Sequence, residues 1–348
     1  MSILLHKKRF WAGILLAQFV LFYLFSHIRF FVVFFEKFYD FQKNFHISIC
    51  SWIPFSFGDV LYVLLSIFLL IQIINIFKKT KRKKALFNLI ICFNIAYFNY
   101  QIFWGMIYFQ TPIIKKLNSQ EKPTVAKAKV LAEKYLQKAI QTRKLVNEDK
   151  NGVFIIKDKE VLLKEIISQE KCIPSKISSK TVLSKISVKE SLFSEVMSFT
   201  GISGYYNPFT AESQYNSNLP HSILPSTISH ETSHQLGFAR EQEANFVSYL
   251  MGVNSENPDL RYSAEYFTLK SLLRYIASED QVFAENMIKK YSPEMKRDRA
   301  YERNFMISHQ SKLEDFFGFT NDLFLKSNQQ DGSVTYSYFV DLLLNYEK

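Results

Sequence analysis

The run His230-Glu231-Thr232-Ser233-His234 sets two imidazoles four residues apart, with a carboxylate directly after the first. On an α-helix, positions four apart share a face, about 6 Å apart along the axis. Two imidazoles so placed can bind one zinc ion at about 2.0–2.1 Å each. Glu231, next to the first, can take a proton from an activated water and later pass it to a leaving amine. This is the HExxH pattern of zinc peptidases, whose chemistry requires those residue types at that spacing. The neighbours Ser226, Thr227, Ser229, Thr232 and Ser233 are mediocre helix formers. A helix kept for stability alone would seldom carry two histidines among so many hydroxyls. The plainer alternative is a surface helix with two solvated histidines.

A catalytic zinc site usually has three protein ligands and one open position. Pro225-Ser226 opens the helix and Gly237 suits its end. A second helix, from near Arg240 to about Met251, is then expected to fold back over the first. Glu241 and Glu243 can both reach the metal from it. Glu241 is the better placed, because Asn245 follows four residues later on the same face. Asn245 could accept a hydrogen bond from a ligand histidine and fix its tautomer, leaving Glu243 as a surface or supporting carboxylate. His221 and His309 are rival ligands, or ordinary solvated or core histidines. Donors for a developing oxyanion could be Tyr205, Tyr206, Arg240 or His309. Gly201–Gly204 does not fit a Gly-x-Ser-x-Gly elbow, so Ser203 is a poor nucleophile.

The elements that must carry these residues are legible in part. Residues 123–143 repeat Val125, Ala128, Leu131, Ala132, Tyr135 and Ala139 on one helical face. A short strand is expected at 152–156 and a helix at 161–167. The Ser/Lys-rich stretch 175–187 reads as a loop. One or two strands are expected within 199–216, where an edge strand could hold an extended substrate. Further helices are expected at about 262–277, 279–291, 294–317 and 335–346. No internal repeat is visible.

Residues 1–110 differ from the rest. They hold Phe-rich apolar runs at about 10–28, 60–77 and 85–109, each near the ~20 residues that cross a bilayer as a helix. The first is too long for a cleaved signal peptide, and no small-residue cleavage site follows it. Asn88, Asn94, Asn99 and Gln101 in the third run imply packing against the other two. Residues 1–110 contain 12 Lys and Arg against 3 Asp and Glu, so nine of the eleven net positive charges lie there. That placement sets membrane orientation and argues against nucleic-acid binding. Lys7-Lys8-Arg9 and the cluster at 78–84 should face the cytoplasm, with the 29–59 loop and residues 111–348 outside. Pro54 and Gly58 read as a turn entering the second span, with Asp59 as its cap. Cys50, Cys92 and Cys172 are too few and too scattered for a disulfide framework or a metal knuckle.

Three groups of residues carry a family resemblance. They are Trp52-Ile53-Pro54-Phe55-Ser56-Phe57-Gly58-Asp59, Gly204-Tyr205-Tyr206-Asn207-Pro208-Phe209-Thr210 and His230 through Phe246, together with Trp104-Gly105. They resemble the bacterial, Bacteroidetes-type membrane proteins of the domain of unknown function 3810 family. The resemblance implies three membrane helices and a zincin-like domain, and no particular substrate. Glu241-x-x-Ala244-Asn245 is also similar to the Glu-x-x-Ala-Asp run of gluzincin peptidases. Carried over, Glu241 is the third zinc ligand and Asn245 stands where an Asp supports a histidine. Only six residues separate His234 from Glu241, fewer than gluzincins usually have. His234-x-x-Gly237 resembles metzincins, but Arg240 occupies the position of their third histidine.

The expected molecule is therefore a membrane protein with three N-terminal transmembrane helices (1–110). A mostly helical α+β zincin-like domain with a small sheet (111–348) would lie outside a bacterial inner membrane. Its partners would be the lipid bilayer and a peptide or protein substrate, and its cofactor one zinc ion. The alternatives are a non-catalytic protein with a structural or vestigial metal site, or a metal-dependent hydrolase of a non-peptide envelope substrate.

Overall fold

The computed structural model describes residues 8–117, 123–183, 185, 187–332, 334 and 338–347. Lys7 of the first basic cluster, 184 and 186 of the expected loop, and 335–337 of the last expected helix lie outside these. The chain divides into two compact units, Met1–Gln110 with Asn207–Glu212, and Thr111–Tyr206 with Ser213–Lys348.

The first unit contains α1 (Lys8–His27), α2 (Arg29–Cys50), α3 (Phe57–Ile76) and α4 (Arg82–Phe103). Helices α1, α3 and α4 are long and apolar enough to cross a membrane. Their buried polar groups pair across the helices. Gln18 donates to Asn94, Asn94 donates to the Trp11 carbonyl, and Asn88 donates to Gln72. Such pairs satisfy amides that lipid cannot.

The 29–59 segment corrects the sequence reading. It is not a loop: residues 29–50 form a 22-residue helix. The cause is a repeat in threes and fours of Val32, Phe35, Tyr39, Gln42, Lys43, Ile47 and Cys50, all buried. The many Phe on its other faces hide that repeat. Asp59 is likewise not the cap of α3. Ser56 Oγ accepts from the Asp59 N–H at 3.2 Å. The buried Glu212 carboxylate accepts from the N–H groups of Phe57 (3.1 Å) and Gly58 (2.5 Å). A negative group there meets the positive end of the helix dipole.

The second unit is built on helices. They are α5 (Val125–Arg143), α6 (Lys159–Glu170), α7 (Ser194–Thr200), α8 (Leu224–Leu236), α9 (Glu241–Val253), α10 (Pro258–Ala277), α11 (Gln281–Lys289), α12 (Pro293–His309), α13 (Lys312–Ser327) and α14 (Tyr338–Tyr346). The 294–317 expectation is corrected to two helices. Ser311 breaks the run, its hydroxyl accepting from the Leu313 N–H as the cap of α13. Strands β1 (Asn147–Glu148) and β2 (Phe154–Ile155) form an antiparallel hairpin. Strands β3 (Val188–Glu190), β4 (Gly204–Asn207) and β5 (Glu212–Tyr215) form a second sheet in the order β3-β5-β4, with β3 parallel to β5.

The core forms around α8, α9 and α10. Helix α5 packs its Ala128, Leu131, Ala132, Tyr135, Leu136 and Ala139 stripe along α10. Each fully buried large apolar side chain contributes about 1.5–3 kcal/mol. The buried Arg143 guanidinium fixes the periphery. It bonds both oxygens of Asp298 (2.6 and 3.1 Å), Glu148 (2.9 Å) and the Gly152 carbonyl (3.1 Å). Asp298 also accepts from Tyr262 Oη and the Phe154 N–H. One ion network thus joins α5, the β1–β2 hairpin, α10 and α12.

Candidate metal centre

Helix α8 is buried along nearly its whole length, with only His230 partly open. Its hydroxyls make this possible. Thr232 and Ser233 donate to the carbonyls of Ile228 and Ser229, and Ser263 of α10 donates to Ser226 Oγ at 2.9 Å. Small side chains that mostly bond within the fold let neighbouring helices approach closely, although Ser229 Oγ is left without a partner. The weak helix formers noted in the sequence are therefore packing residues of a central helix.

Gly237 ends α8 with φ +101°. That left-handed conformation suits glycine. The N–H groups of Gly237 and Phe238 return to the carbonyls of His234 and Ser233. The chain reverses within four residues, and Glu241 begins α9 facing the two histidines. His230 Nε2 lies 3.2 Å from Glu241 Oε2, and His234 Nε2 lies 3.6 Å from Glu241 Oε1. One potential donor atom from each of the three residues lies within 4.8 Å of the others.

The other nitrogen of each ring is engaged. His230 Nδ1 lies 2.8 Å from Asn245 Oδ1, and His234 Nδ1 lies 2.7 Å from the Phe238 carbonyl. Both partners are acceptors, so each Nδ1 carries a proton and Nε2 is the nitrogen of each ring that can turn a lone pair to an ion. Two ligands at about 2.05 Å from a tetrahedral ion stand roughly 3.3 Å apart. The two observed separations, one to each oxygen of Glu241, straddle that value, so each histidine–Glu241 pair is spaced as two ligands of one small divalent ion would be.

Glu231 is buried, and its Oε2 has no hydrogen-bond partner. Burial pushes its carboxyl up to about 7, against the pull of the two neighbouring rings. The orphaned carboxylate oxygen thus belongs to a group that feels the charge of both rings, the kind of group that can exchange a proton with water. Burial alone would lower the His234 pKa, but the Glu241 carboxylate outweighs it and carries the ring up to about 9. Burial would raise Glu241, yet the two rings hold it far below the usual carboxylate range.

Glu243 points elsewhere. Its Oε1 accepts from the Ile113 N–H at 2.8 Å and meets Arg240 Nη1 at 3.3 Å. Burial pushes its carboxyl up. Asn245 is on the face of α9 that meets His230. His221 and His309 line a separate cleft of about 440 Å³ with Tyr301 and Phe305. There His221 Nδ1 accepts from the Ile156 N–H, and the His309 ring packs on Phe199 and Phe305. Tyr205 and Tyr206 are half-buried on β4.

Gly204, at the start of β4, was missed. A Cβ there would sit 2.7 Å from Glu231 Oε1 and 2.9 Å from the Gln214 carbonyl. The Ser213 hydroxyl also donates to the Glu231 carbonyl at 2.9 Å. The sheet therefore presses directly on Glu231. A glycine opening a strand is the only sequence signal of that approach.

No curated protein matches the chain, and neither does any solved structure. Residues 34–344 match the family described as protein of unknown function (DUF3810), and the chain belongs to that family.

Proposed function

We propose that this chain is a membrane-anchored, zinc-dependent peptidase. The observation that carries the reading is the convergence of His230 Nε2, His234 Nε2 and the Glu241 carboxylate, with the buried Glu231, whose Oε2 is unpartnered, feeling the charge of both rings. His230, His234 and Glu241 would hold the ion. When bound, it supplies a Lewis acid that polarises a carbonyl and makes water acidic enough to attack at neutral pH. Glu231 takes the proton of the attacking water on Oε2 and delivers it to the departing amine. Asn245 and the Phe238 carbonyl hold the two rings in the tautomer the ion needs. Burial of Glu231 and His234 keeps competing water away. Strand β4 is an outer strand of its sheet and begins against Glu231, so an extended peptide pairing with it would pass the base.

The basic clusters at the ends of the apolar helices support a cytoplasmic N-terminus and a domain outside a bacterial inner membrane. Envelope or membrane-near proteins would then be the substrates. The test is cleavage of such proteins by the full chain in membranes. Glu231→Gln should stop cleavage while zinc content is unchanged. Equal cleavage by the variant, or release only of non-peptide envelope fragments, would overturn the reading.

A further inference from the structure

Helix α13 buries little of itself. Leu325 is its one fully buried described residue, and α7 is the helix it packs on. Leu313, Phe316, Phe319 and Leu323 are 51–62% exposed. At about 100° per residue these four fall within an arc of roughly 120°. Glu314, Asp315 and Asp322 lie outside that arc. Single exposed apolar residues are ordinary, but four aligned on one helix form a contiguous patch of the kind that marks a binding surface.

The preceding helices carry a second, independent feature. A groove of about 640 Å³ between α11 and α12 is lined by Lys289, Lys296, Arg299, Arg303, Asn304 and Ile307. Among the described residues, none of its four cations has a carboxylate within ion-pair distance. The other charges of α12 are spent inside the fold: Asp298 on Arg143, Glu302 on Lys270, and Arg297 on Glu148 and Glu294. Residues 111–348 as a whole are nearly neutral. The excess in this groove is therefore local.

We propose that α12 and α13 form a bilayer-contact surface. Leu313, Phe316, Phe319 and Leu323 would sit at the boundary between headgroups and acyl chains, and the groove cations would hold anionic lipid headgroups. An apolar arc combined with Lys and Arg is the composition of helices that lie in a membrane interface. Anionic leaflets attract such cations within a Debye length, so the groove and the arc need not be coplanar. Lipid is favoured over a protein partner because of the chain itself. Its second unit begins at Thr111, with only seven residues between it and the end of α4, so a bilayer carrying α4 is at high effective concentration. The surface does not depend on the metal centre.

The test uses the full chain in nanodiscs, with Cys172 replaced by Ser and a spin label on Phe319→Cys. Val130→Cys, at an exposed position of α5, is the water reference, and the unlabelled-site parent is subtracted for Cys50 and Cys92. In phosphatidylglycerol discs the oxygen-to-nickel-chelate accessibility ratio at 319 should exceed that at 130 several-fold. It should fall toward the reference when Lys296, Arg299 and Arg303 are all changed to Gln. Equal ratios at 319 and 130 would place the helix in water and overturn the proposal. So would a label shielded from both agents, which would point to a second copy or a protein partner. A ratio unchanged between phosphatidylglycerol and phosphatidylcholine discs would overturn the anionic-headgroup role of the groove.

Discussion

Asn245 offers a test in which two substitutions at one position move zinc affinity in opposite directions. Its Oδ1 accepts the His230 Nδ1 proton at 2.8 Å and is largely shielded from water. With an ion on Nε2, the ring cannot change tautomer or turn away, whereas the metal-free ring can do both. Asn245→Ala therefore penalises mainly the loaded state. An unmade buried hydrogen bond costs about 1–3 kcal/mol. That corresponds to zinc binding about 5–150-fold weaker, which brackets the roughly 10–100-fold typical for losing such a supporting contact. Asn245→Asp replaces a neutral acceptor with an ionised one, and charge-assisted hydrogen bonds are roughly twice as strong. A gain of about 1 kcal/mol would tighten zinc binding about fivefold at alkaline pH, where protons compete least. Competition between the full-length chain and a chromophoric chelator measures both. Affinity within twofold of wild type for Asn245→Ala, or weaker binding for Asn245→Asp in a chain that melts normally, would refute the assignment.

Zinc affinity should depend steeply on pH. The folded pKa of His234 lies above the ordinary 6.5, at about 9, so the metal-free fold holds stability below pH 6.5 that is lost as pH rises through 9. Zinc must displace that proton, so affinity should climb about tenfold per unit from pH 7 to 9 and then level; a flat titration would contradict the Glu241–His234 pairing. Gly204→Ala drives a Cβ into Glu231 Oε1 and the Gln214 carbonyl. Turnover should fall by about 10²-fold with zinc retained, since a displacement near 1 Å can cost that much; unchanged turnover would separate Gly204 from the base. Arg143→Ala strands the buried Asp298 carboxylate and should cost about 3–5 kcal/mol. Thermal unfolding should then begin about 10 °C lower, and a loss under 1 kcal/mol would mean the network is slack.

Local signals were readable where one helix or turn carried them. The four-residue spacing of His230 and His234, the left-handed Gly237 and the Glu241-to-Asn245 step all lie within a single helical hairpin. Chain geometry alone therefore brings Glu241 and Asn245 to the two rings. The buried stripe of α5 was equally plain. Its helical repeat contrasts with polar residues on the opposite face. Helix α2 lacks that contrast, because Phe occupies its outer faces too. Gly204 was invisible for another reason: its contact with Glu231 spans 27 positions and depends on how the sheet packs on α8. Glu212 reads as an ordinary strand residue, yet its carboxylate caps α3 more than 150 positions earlier. The Ser311 break was legible as a Ser-x-x-Glu start signal ending at Glu314, but the helical pattern on both sides masked it.

Metal content of the purified full-length chain bears most directly on the metal centre. Wild type should hold close to one zinc per chain. His230→Ala and Glu241→Gln should each lose it while keeping the wild-type far-ultraviolet circular dichroism. Zinc absent from a folded wild type, or kept at full stoichiometry by both variants, would contradict a site built from those three side chains.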